Sequence, residues 1–398
     1  MELSDSFFDF VQAHKDDDCI RLRLKAADNA GFDTKFAINQ IEARRKTRYK
    51  LPQINSCARF VFPSLLAAEQ STSEDAAAFK RSLFADRYSS VCDLTGGLGI
   101  DTAYISDVVG KVVYIERFAD YCDAAVHNFS VLGKHNIEVV NADCREFVVE
   151  NDRHFDAYYI DPARRGIANS RLFSFADCEP NVLTLLPLLL QGGSEVWLKA
   201  SPMVDISLAI SELAHVTDVY AISVKGECKE LLFRIKAGTV SEAVIHCVDI
   251  VHGKYEIFDF LLSEEKSIAS LHYADTPLSY LYEPGASILK GGAFKSVANR
   301  YAVNKLHKNS HLYTSRNAVP DFPGRRFAVM EVIPFKNSAL KGLNAKYPAA
   351  NITVRNFPLT ADALRKRLKI KDGGDIYMFA TKCNDGGNIL IVCNRITS

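Results

Sequence analysis

Residues 89–102 read SSVCDLTGGLGIDT and carry the pattern from which the fold is best inferred. Its first part, SSVCDL, is a short apolar segment typical of a buried strand. The glycines that follow allow a sharp turn and a close approach of the backbone to a ligand before a helix begins. Asp93 lies at the end of the strand, on the edge where ligands bind in parallel sheets.

Short apolar strands and helices alternate around this stretch, over residues 88–236. Repeated βα units indicate a parallel sheet with helices on both faces. The last two strands, DVYAISV and ELLFRIK, are joined by KGECK, a turn too short for a parallel crossover, so the final strand is predicted to be antiparallel. The predicted fold class is α/β, a doubly wound, mostly parallel seven-stranded sheet that ends in an antiparallel hairpin.

Helical segments precede this sheet, and an α+β region follows it. Helical spacing predicts helices over residues 4–14, 17–28 and 34–50, with Pro52 stopping the third, and residues 71–74 form a capping-box pattern before another helix. The β-rich segments of residues 240–280 either extend the sheet or bridge to the next domain. Residues 281–398 predict one helix over GASILKGGAFKSVANRYAV, one over TADALRKRLKI, and a closing hairpin that turns at Asn384–Gly387.

Composition limits the class of protein. The 398 residues are 48% hydrophobic and 24% charged, as in ordinary globular domains. No stretch approaches 18 apolar residues, and the N-terminus lacks the pattern of a signal peptide, so no membrane association is expected. The ten cysteines include no C-x-x-C pair. We therefore expect no metal site, and reduced thiols in a cytoplasmic protein.

The net charge of zero conceals an asymmetry. Residues 81–280 carry 17 Lys and Arg against 29 Asp and Glu, whereas residues 281–398 carry 19 against 7. The basic C-terminal third either contacts a polyanion such as RNA or docks on the acidic middle. The run Arg44–Lys50, with five cations in seven residues, is either a solvated helix face or a phosphate-contacting helix.

Four acidic residues end four successive predicted strands: Asp93, Glu116, Asp143 and Asp161. A dinucleotide fingerprint would require a third glycine where Thr102 stands, so a nicotinamide cofactor is disfavoured. An acid at the end of the first strand repels a pyrophosphate but accepts an ammonium, which favours S-adenosylmethionine. Glu116 is placed to accept both ribose hydroxyls and Asp143 the adenine amino group. The predicted cofactor-binding residues are Asp93, Thr95, Gly97, Gly99, Asp101, Glu116, Asp143, Cys144 and Asp161.

These residues resemble the pattern of class I S-adenosylmethionine-dependent methyltransferases over residues 88–236. The flanking segments QIEARRKTRYKLP, EPGASILKGGAFKSVA and LRKRLKIKDGGD resemble a bacterial methyltransferase family with a helical N-terminus, a ferredoxin-like segment and a THUMP-like domain. The resemblance implies RNA, such as tRNA or rRNA, as partner. The predicted domains are 1–85 (helical), 86–250 (methyltransferase), 251–325 (connecting ferredoxin-like segment) and 326–398 (THUMP-like).

The fourth strand end, Asp161-Pro162-Ala163-Arg164-Arg165, indicates the chemistry. It resembles the Asp-Pro-Pro-aromatic motif of amine methyltransferases, with Arg164 in place of the aromatic. It also resembles the Asp-Pro-Pro-Arg of carbon-5 uracil methyltransferases, but Ala200 stands where their nucleophilic Cys is needed. Methylation of a base nitrogen is therefore favoured, since it needs only alignment and a proton acceptor. The predicted catalytic residues are Asp161, Pro162 and Arg164.

Basic side chains are predicted to contact the substrate. They are Arg164, Arg165, Lys199, Arg44, Arg45, Lys46, Arg365 and Lys369. Two alternatives to an RNA methyltransferase stay open at this point. One is a non-catalytic RNA-binding module that uses the same cofactor pocket, and the other is a small-molecule methyltransferase.

Overall fold

The computed structural model describes residues 3–25, 31–164, 174–191, 194–238 and 242–396. The chain divides into two compact units, Met1–Val219 with Glu230–Glu242, and Tyr220–Lys229 with Ala243–Ser398. Within the described ranges, no helix is long and apolar enough to cross a membrane. The same ranges hold no group of three His, Cys, Asp or Glu side chains arranged to bind a metal ion.

Helices occupy most of the chain before the first strand. They are α1 (Asp5–Ala13), α2 (Cys19–Lys25), α3 (Thr34–Thr47), α4 (Pro52–Ser56), α5 (Leu65–Gln70) and α6 (Glu74–Phe84). The three helices predicted from spacing are confirmed as α1, α2 and α3; residues 26–28 of the second lie outside the described residues. Apolar residues of α1, such as Phe7 and Val11, pack against Ala37 and Ile41 of α3.

Two predicted details of this segment are wrong. Pro52 does not end α3, which stops at Thr47; it is the first residue of α4, where the missing N–H of proline costs nothing. The capping box predicted over residues 71–74 does not form. The N-cap of α6 is instead Ser73, whose hydroxyl accepts a hydrogen bond from Ala76 N. The Glu74 carboxylate accepts the N–H groups of Gln53 and Ile54 and so caps α4, a helix distant in sequence.

The rest of the first unit alternates strands and helices. These are β1 (Ser90–Asp93), α7 (Ile100–Ile105), β2 (Lys111–Glu116), α8 (Ala119–Val131), β3 (Ile137–Asn141), α9 (Cys144–Glu150), β4 (Ala157–Ile160), β5 (Ala163–Arg164), a 3₁₀ turn (Phe175–Asp177), β6 (Cys178–Glu179), α10 (Val182–Leu189), β7 (Glu195–Ala200), α11 (Ile206–Leu213), β8 (Val216–Val224) and β9 (Glu227–Lys236). The tip of the β8–β9 hairpin is grouped with the second unit.

The sheet has the predicted doubly wound topology. Its order is β3-β2-β1-β4-β7-β9-β8, and β1 pairs in parallel with both β2 and β4. β9 runs antiparallel to β7, which confirms the predicted direction of the last strand. The connection between β8 and β9 is shorter than KGECK: only Lys225 and Gly226, with φ of 54° and 80°, separate the strands. Such positive φ values match the twist of a two-residue hairpin turn.

The second unit is α+β. Its elements are β10 (Val244–Val251), β11 (Lys254–Leu261), α12 (Leu262–Ser267), β12 (Tyr280–Pro284), α13 (Ala286–Gly291), α14 (Phe294–Arg300), β13 (Asn304–Lys305), β14 (Tyr313–Ser315), β15 (Gly324–Pro334), α15 (Leu343–Lys346), β16 (Asn351–Val354), α16 (Ala361–Leu368), β17 (Ile376–Lys382) and β18 (Asn388–Arg395). The β10–β11 hairpin is antiparallel, and a sheet of order β13-β14-β12-β15-β18-β17-β16 carries the core.

The helix predicted over residues 285–303 is two helices. α13 ends at Gly291, and Gly292 has a φ of 84°, a left-handed conformation that a glycine adopts without strain. A Cβ on Gly291 would lie 2.5 Å from the Cys247 sulfur, so the break also allows close packing. The predicted hairpin turn before β18 is confirmed, since Cys383 N donates to Gly387 O.

Candidate active site

The glycine loop joins β1 to α7 and requires its glycines for two different reasons. A Cβ on Gly96 would lie 2.1 Å from the ring of Tyr114, so any side chain there would collide with β2. Gly97 and Gly99 have φ values of 56° and 78°. The Tyr114 hydroxyl donates to Gly97 O at 2.5 Å and holds the loop over the sheet edge. The loop therefore leaves backbone open at the point where a ligand approaches.

Asp93 lies beneath this loop and is 2% exposed. Its carboxylate accepts hydrogen bonds from Thr95 N at 3.0 Å and from the Thr102 hydroxyl at 2.5 Å. Burial raises the pKa of Asp93 to about 7, although both hydrogen bonds oppose the shift. Thr102, which stands where a dinucleotide fingerprint has glycine, is thus a partner of Asp93.

Glu116 at the end of β2 organises the loop from the other side. Its two carboxylate oxygens accept Gly97 N at 3.1 Å and Phe118 N at 2.9 Å. Glu116 does not line the cavity described below, so the ribose contact stays a prediction.

Asp143 is the N-cap of α9 and accepts hydrogen bonds from both the backbone and the guanidinium of Arg145. The side-chain hydrogen bond from Arg145 lowers the pKa of Asp143 to about 2. The adjacent Cys144 is buried, and burial raises the pKa of its thiol to about 11. An adenine contact by Asp143 would therefore share this carboxylate with Arg145.

Asp161 and Lys199 meet where the neighbouring strands β4 and β7 end. Lys199 Nζ lies 2.6 Å from Asp161 Oδ2 and 3.1 Å from the Thr72 hydroxyl. Asp161 N donates to Thr95 Oγ1 at 2.6 Å, which ties the strand end to the glycine loop. The side chain of Asp161 is 40% exposed and that of Lys199 only 12%. The structure thus brings together a predicted catalytic residue and a predicted substrate-binding residue.

A buried charge network supports this pair from behind. Lys80 of α6 is fully buried and lies 2.8 Å from Asp101 and 2.7 Å from Glu230. Asp101 also accepts hydrogen bonds from the hydroxyls of Thr72 and Tyr159. Burial opposes the ionisation of Asp101, but the positive charges of Lys80 and Lys199 outweigh burial and lower the pKa of this carboxyl. Asp101 therefore acts as an internal counterion at the floor of the site.

A cavity of about 180 Å³ opens at this sheet edge. The glycine loop, Asp93, Asp161 and Lys199 form one side of it. The helical segment forms another side through Ala67 and Gln70 of α5 and through the two residues that follow this helix, Ser71 and Thr72. The N-terminal helices are thus part of the site.

Sequence reasoning missed Lys80, Thr72, Tyr159 and Glu230. A signal existed for Lys80, because it follows Ala76 and Ala77 at helical spacing and precedes Phe84 on the same apolar face. A lysine on such a face needs a buried partner. The other three are brought in by tertiary contacts.

Among the predicted substrate-binding residues outside the pocket, Arg44 and Arg45 bond within the helical segment. Arg44 donates to four backbone carbonyls between residues 55 and 60, and Arg45 donates to Lys15 O and Asp17 O. Lys46 pairs with Glu69 at 2.5 Å. These bonds hold the helical segment together, and RNA contact by the three cations stays a prediction.

The remaining predicted substrate-binding residues are Arg164 and Arg165 after β4, and Arg365 and Lys369 in the second unit. The backbone of Ala163 and Arg164 forms β5, which pairs with β6 directly after Asp161-Pro162. Arg165 lies outside the described residues.

In α16, Arg365 pairs with Asp362 and Asp372, both at 2.7 Å. Lys369 is the left-handed C-cap of α16, with a φ of 55°, and so lies just beyond the last helical residue.

Comparisons with known proteins show which families this chain is similar to. A family model for a ferredoxin-like domain matches residues 280–323, and one for a THUMP domain-like region matches residues 324–395. A solved structure from Porphyromonas gingivalis W83, described as a "putative methyltransferase", is 36% identical with a TM-score of 0.89, and the match covers 98% of each chain.

Two curated relatives extend the comparison. Both are uncharacterised S-adenosylmethionine-dependent methyltransferases of Mycobacterium tuberculosis, from strains CDC 1551 and H37Rv. Each is 24% identical over 323 residues, which is 80% of this chain and 84% of theirs. The chain therefore belongs to the class I S-adenosylmethionine-dependent methyltransferases that end in a ferredoxin-like segment and a THUMP-like domain.

Proposed function

We propose that this protein methylates a nitrogen of a base in RNA, either tRNA or rRNA, with S-adenosylmethionine as methyl donor. The observation that carries the proposal is the Asp161 carboxylate, which is partly exposed in the cavity and held between Lys199 and the glycine loop. An exocyclic amino group, or a ring nitrogen that carries a hydrogen, must lose a proton when it accepts a methyl group, and a positioned carboxylate is a suitable proton acceptor.

The residues of the cavity fit the cofactor. Asp93 offers a buried carboxylate to its ammonium, and the open backbone of Gly96–Gly99 leaves room for close approach. Glu116 and Asp143 are proposed to accept hydrogen bonds from the ribose and the adenine. The bound cofactor supplies an electrophilic methyl group, so the protein needs only to align the acceptor nitrogen and remove its proton.

The chain's own residues then have distinct tasks. Lys199 holds the Asp161 carboxylate in one orientation through a 2.6 Å contact and is itself held by Thr72. Asp161 orients the acceptor and takes its proton. Carbon-5 methylation of a pyrimidine is disfavoured because Ala200, at the end of β7, offers no nucleophile for the covalent adduct.

RNA is the proposed substrate on two grounds. The match over residues 324–395 is to a THUMP domain-like family, and the C-terminal third carries 19 cations against 7 acids. A cytoplasmic location is proposed with it, because the ten cysteines are free thiols.

The test of the acceptor atom is nucleoside analysis. RNA methylated by the purified protein is digested to nucleosides, and the methylated product is identified by mass and retention time. We expect a purine methylated on nitrogen. A 5-methylpyrimidine or a 2′-O-methylated nucleoside as the product would refute the proposed chemistry.

Cofactor affinity is expected to rise as the pH increases through about 7. Below the pKa of about 7 the Asp93 carboxyl is protonated and cannot pair with the ammonium of the cofactor. The Kd should therefore fall by up to about tenfold per pH unit on the acid side and level off on the alkaline side. Calorimetry at a series of pH values measures it.

Two controls isolate the role of Asp93. Asp93→Asn should weaken cofactor binding by about 10- to 150-fold, the size of about 1.5–3 kcal/mol for a charge-assisted hydrogen bond, and remove the pH dependence. 5′-Methylthioadenosine, which lacks the amino-acid part of the cofactor, should bind with little pH dependence. A Kd of S-adenosylmethionine that is equal on both sides of pH 7 would contradict the assignment.

A further inference from the structure

A group of cations in the second unit is brought together from four parts of the chain. The loop of residues 306–312 between β13 and β14 contacts the end of β16, where His307 Nδ1 lies 3.0 Å from Asn356 Nδ2. The same loop contacts the end of β17 through Ser310, whose hydroxyl lies 2.8 Å from that of Thr381. Lys305 and Lys308 on one side are thereby placed beside the segments that carry Arg355 and Lys382.

Arg325 is linked to this group because it shares an acidic partner with Arg355. Glu283 of β12 has a side chain that is only 4% exposed, and it pairs with both Arg325 and Arg355. The side chains of the two arginines are 38% and 40% exposed. One buried carboxylate therefore orients the guanidinium groups of two partly exposed side chains, and the three residues keep a net positive charge.

Two histidines, His307 and His311, lie close enough to these cations for their pKa values to be lowered. Burial lowers the pKa of His307, and the nearby Lys308, Lys382 and Lys305 lower it further. Burial, Lys305 and Arg355 likewise lower the pKa of His311 to about 4. Positive charges on β13, on the loop that follows it, directly after β16 and on β17 therefore act on the same small region.

The lysine at the centre is buried. Lys305 is 3% exposed, and its ammonium donates to Lys308 O at 2.8 Å. Burial lowers its pKa to about 8, although Glu265 acts in the opposite direction. The repulsion among these cations would be relieved by an anionic ligand with several charges.

We propose that this cation row, formed by Lys305, Lys308, Arg325, Arg355 and Lys382, binds the phosphodiester backbone of the RNA substrate. Oriented guanidinium groups match phosphate geometry, and lysines act as point charges along a phosphate chain. The row combines residues from both matched family regions, since Lys305 and Lys308 lie in 280–323 and the other three in 324–395. It deepens the proposed function and rests on it, because it names the surface that holds the RNA.

The row differs from α16, where sequence patterning placed the RNA contact. In α16 the guanidinium of Arg365 is neutralised by Asp362 and Asp372. In the row a single acid, Glu283, is shared by two arginines. We therefore expect the row to contribute more RNA affinity than α16.

The test is charge reversal at the rim of the row. Lys308→Glu with Lys382→Glu should weaken binding of an RNA by at least about tenfold in filter binding, and flatten the slope of log K against log salt by about one to two. A DNA of the same sequence and length should lose affinity to a similar extent, because phosphates carry the contact. Lys308→Gln with Lys382→Gln should give a smaller loss, with an unchanged melting temperature.

Matched controls carry the same change in charge elsewhere in this unit. Lys254→Glu with Lys336→Glu reverses two exposed lysines on other elements and should lose less than about threefold. Arg365→Glu with Lys369→Glu should fall between this control and the row variant. Cofactor affinity should be unchanged in all of them.

The outcomes separate the two proposals. If the wild type methylates RNA and the row variant binds RNA as tightly as the wild type, the row is refuted and the proposed function stands. A loss for DNA that leaves RNA binding intact would also refute the row as a substrate site. If the wild type neither binds nor methylates RNA, the row and the proposed function fall together.

Discussion

Asp161→Ala is expected to lower methyl transfer about 100-fold or more while the affinity for S-adenosylmethionine stays within about tenfold. The first effect is the usual size of a lost acid–base or alignment role. The second follows from geometry, because Asp161 faces the cavity beside Lys199, whereas the buried Asp93 is the acid assigned to the cofactor. Single-turnover rates and calorimetry on the same preparations measure the two quantities.

Two further variants separate a chemical role of Asp161 from a structural one. Asp161→Asn keeps the shape of the side chain and the backbone bond to Thr95, so its melting temperature should match the wild type while the rate stays low. Lys199→Met should give a smaller rate loss than Asp161→Ala, since it frees the carboxylate without removing it. Normal turnover of Asp161→Asn would mean that this residue only supports the strand end.

Lys80→Met is expected to lower the free energy of unfolding of the first unit by about 3–5 kcal/mol, the usual cost of breaking a buried ion pair. The variant leaves Asp101 and Glu230 buried with one cation fewer, and both lie within 2.8 Å of the Lys80 ammonium. Trp197, the only tryptophan in the sequence, is fully buried in β7, so its fluorescence reports on this unit during denaturant unfolding.

The neighbouring residue on α6 provides the matched control. Arg81 pairs with Asp107 at 3.7 Å, and both side chains are more than one third exposed, so Arg81→Met should cost less than about 1 kcal/mol. Adding Glu230→Gln to Lys80→Met removes one buried negative charge that Lys80 balances in the wild type, and should restore part of the loss. Equal stability of Lys80→Met and Arg81→Met would contradict a buried network beneath the pocket.

Local patterning was sufficient for the parts of the fold that local interactions determine. The alternation of apolar strands and helices predicted the sheet of the first unit, and the short connection after β8 predicted the antiparallel β9. Because the carboxyl ends of neighbouring parallel strands share an edge, Asp161 and Lys199 could both be placed near the site before their contact was known.

Two of the misses share a physical cause, which is a partner distant in sequence. Glu74 caps α4 rather than its own helix, and the guanidinium of Arg44 donates its hydrogen bonds to backbone carbonyls of residues 55–60. Neither pairing leaves a periodic signal in the chain. The break at Gly291-Gly292 had a local signal, two adjacent glycines, but the apolar spacing around them outweighed it.

The most direct test of the central claim follows a radiolabelled methyl group. Purified protein is incubated with methyl-labelled S-adenosylmethionine and a mixture of RNA, DNA, protein and small molecules extracted from cells that lack the enzyme, and the fractions are then separated. We expect label in RNA, released by ribonuclease and nearly absent with Asp161→Ala. Label in the small-molecule or protein fraction alone, or tight cofactor binding without transfer to any RNA, would contradict it.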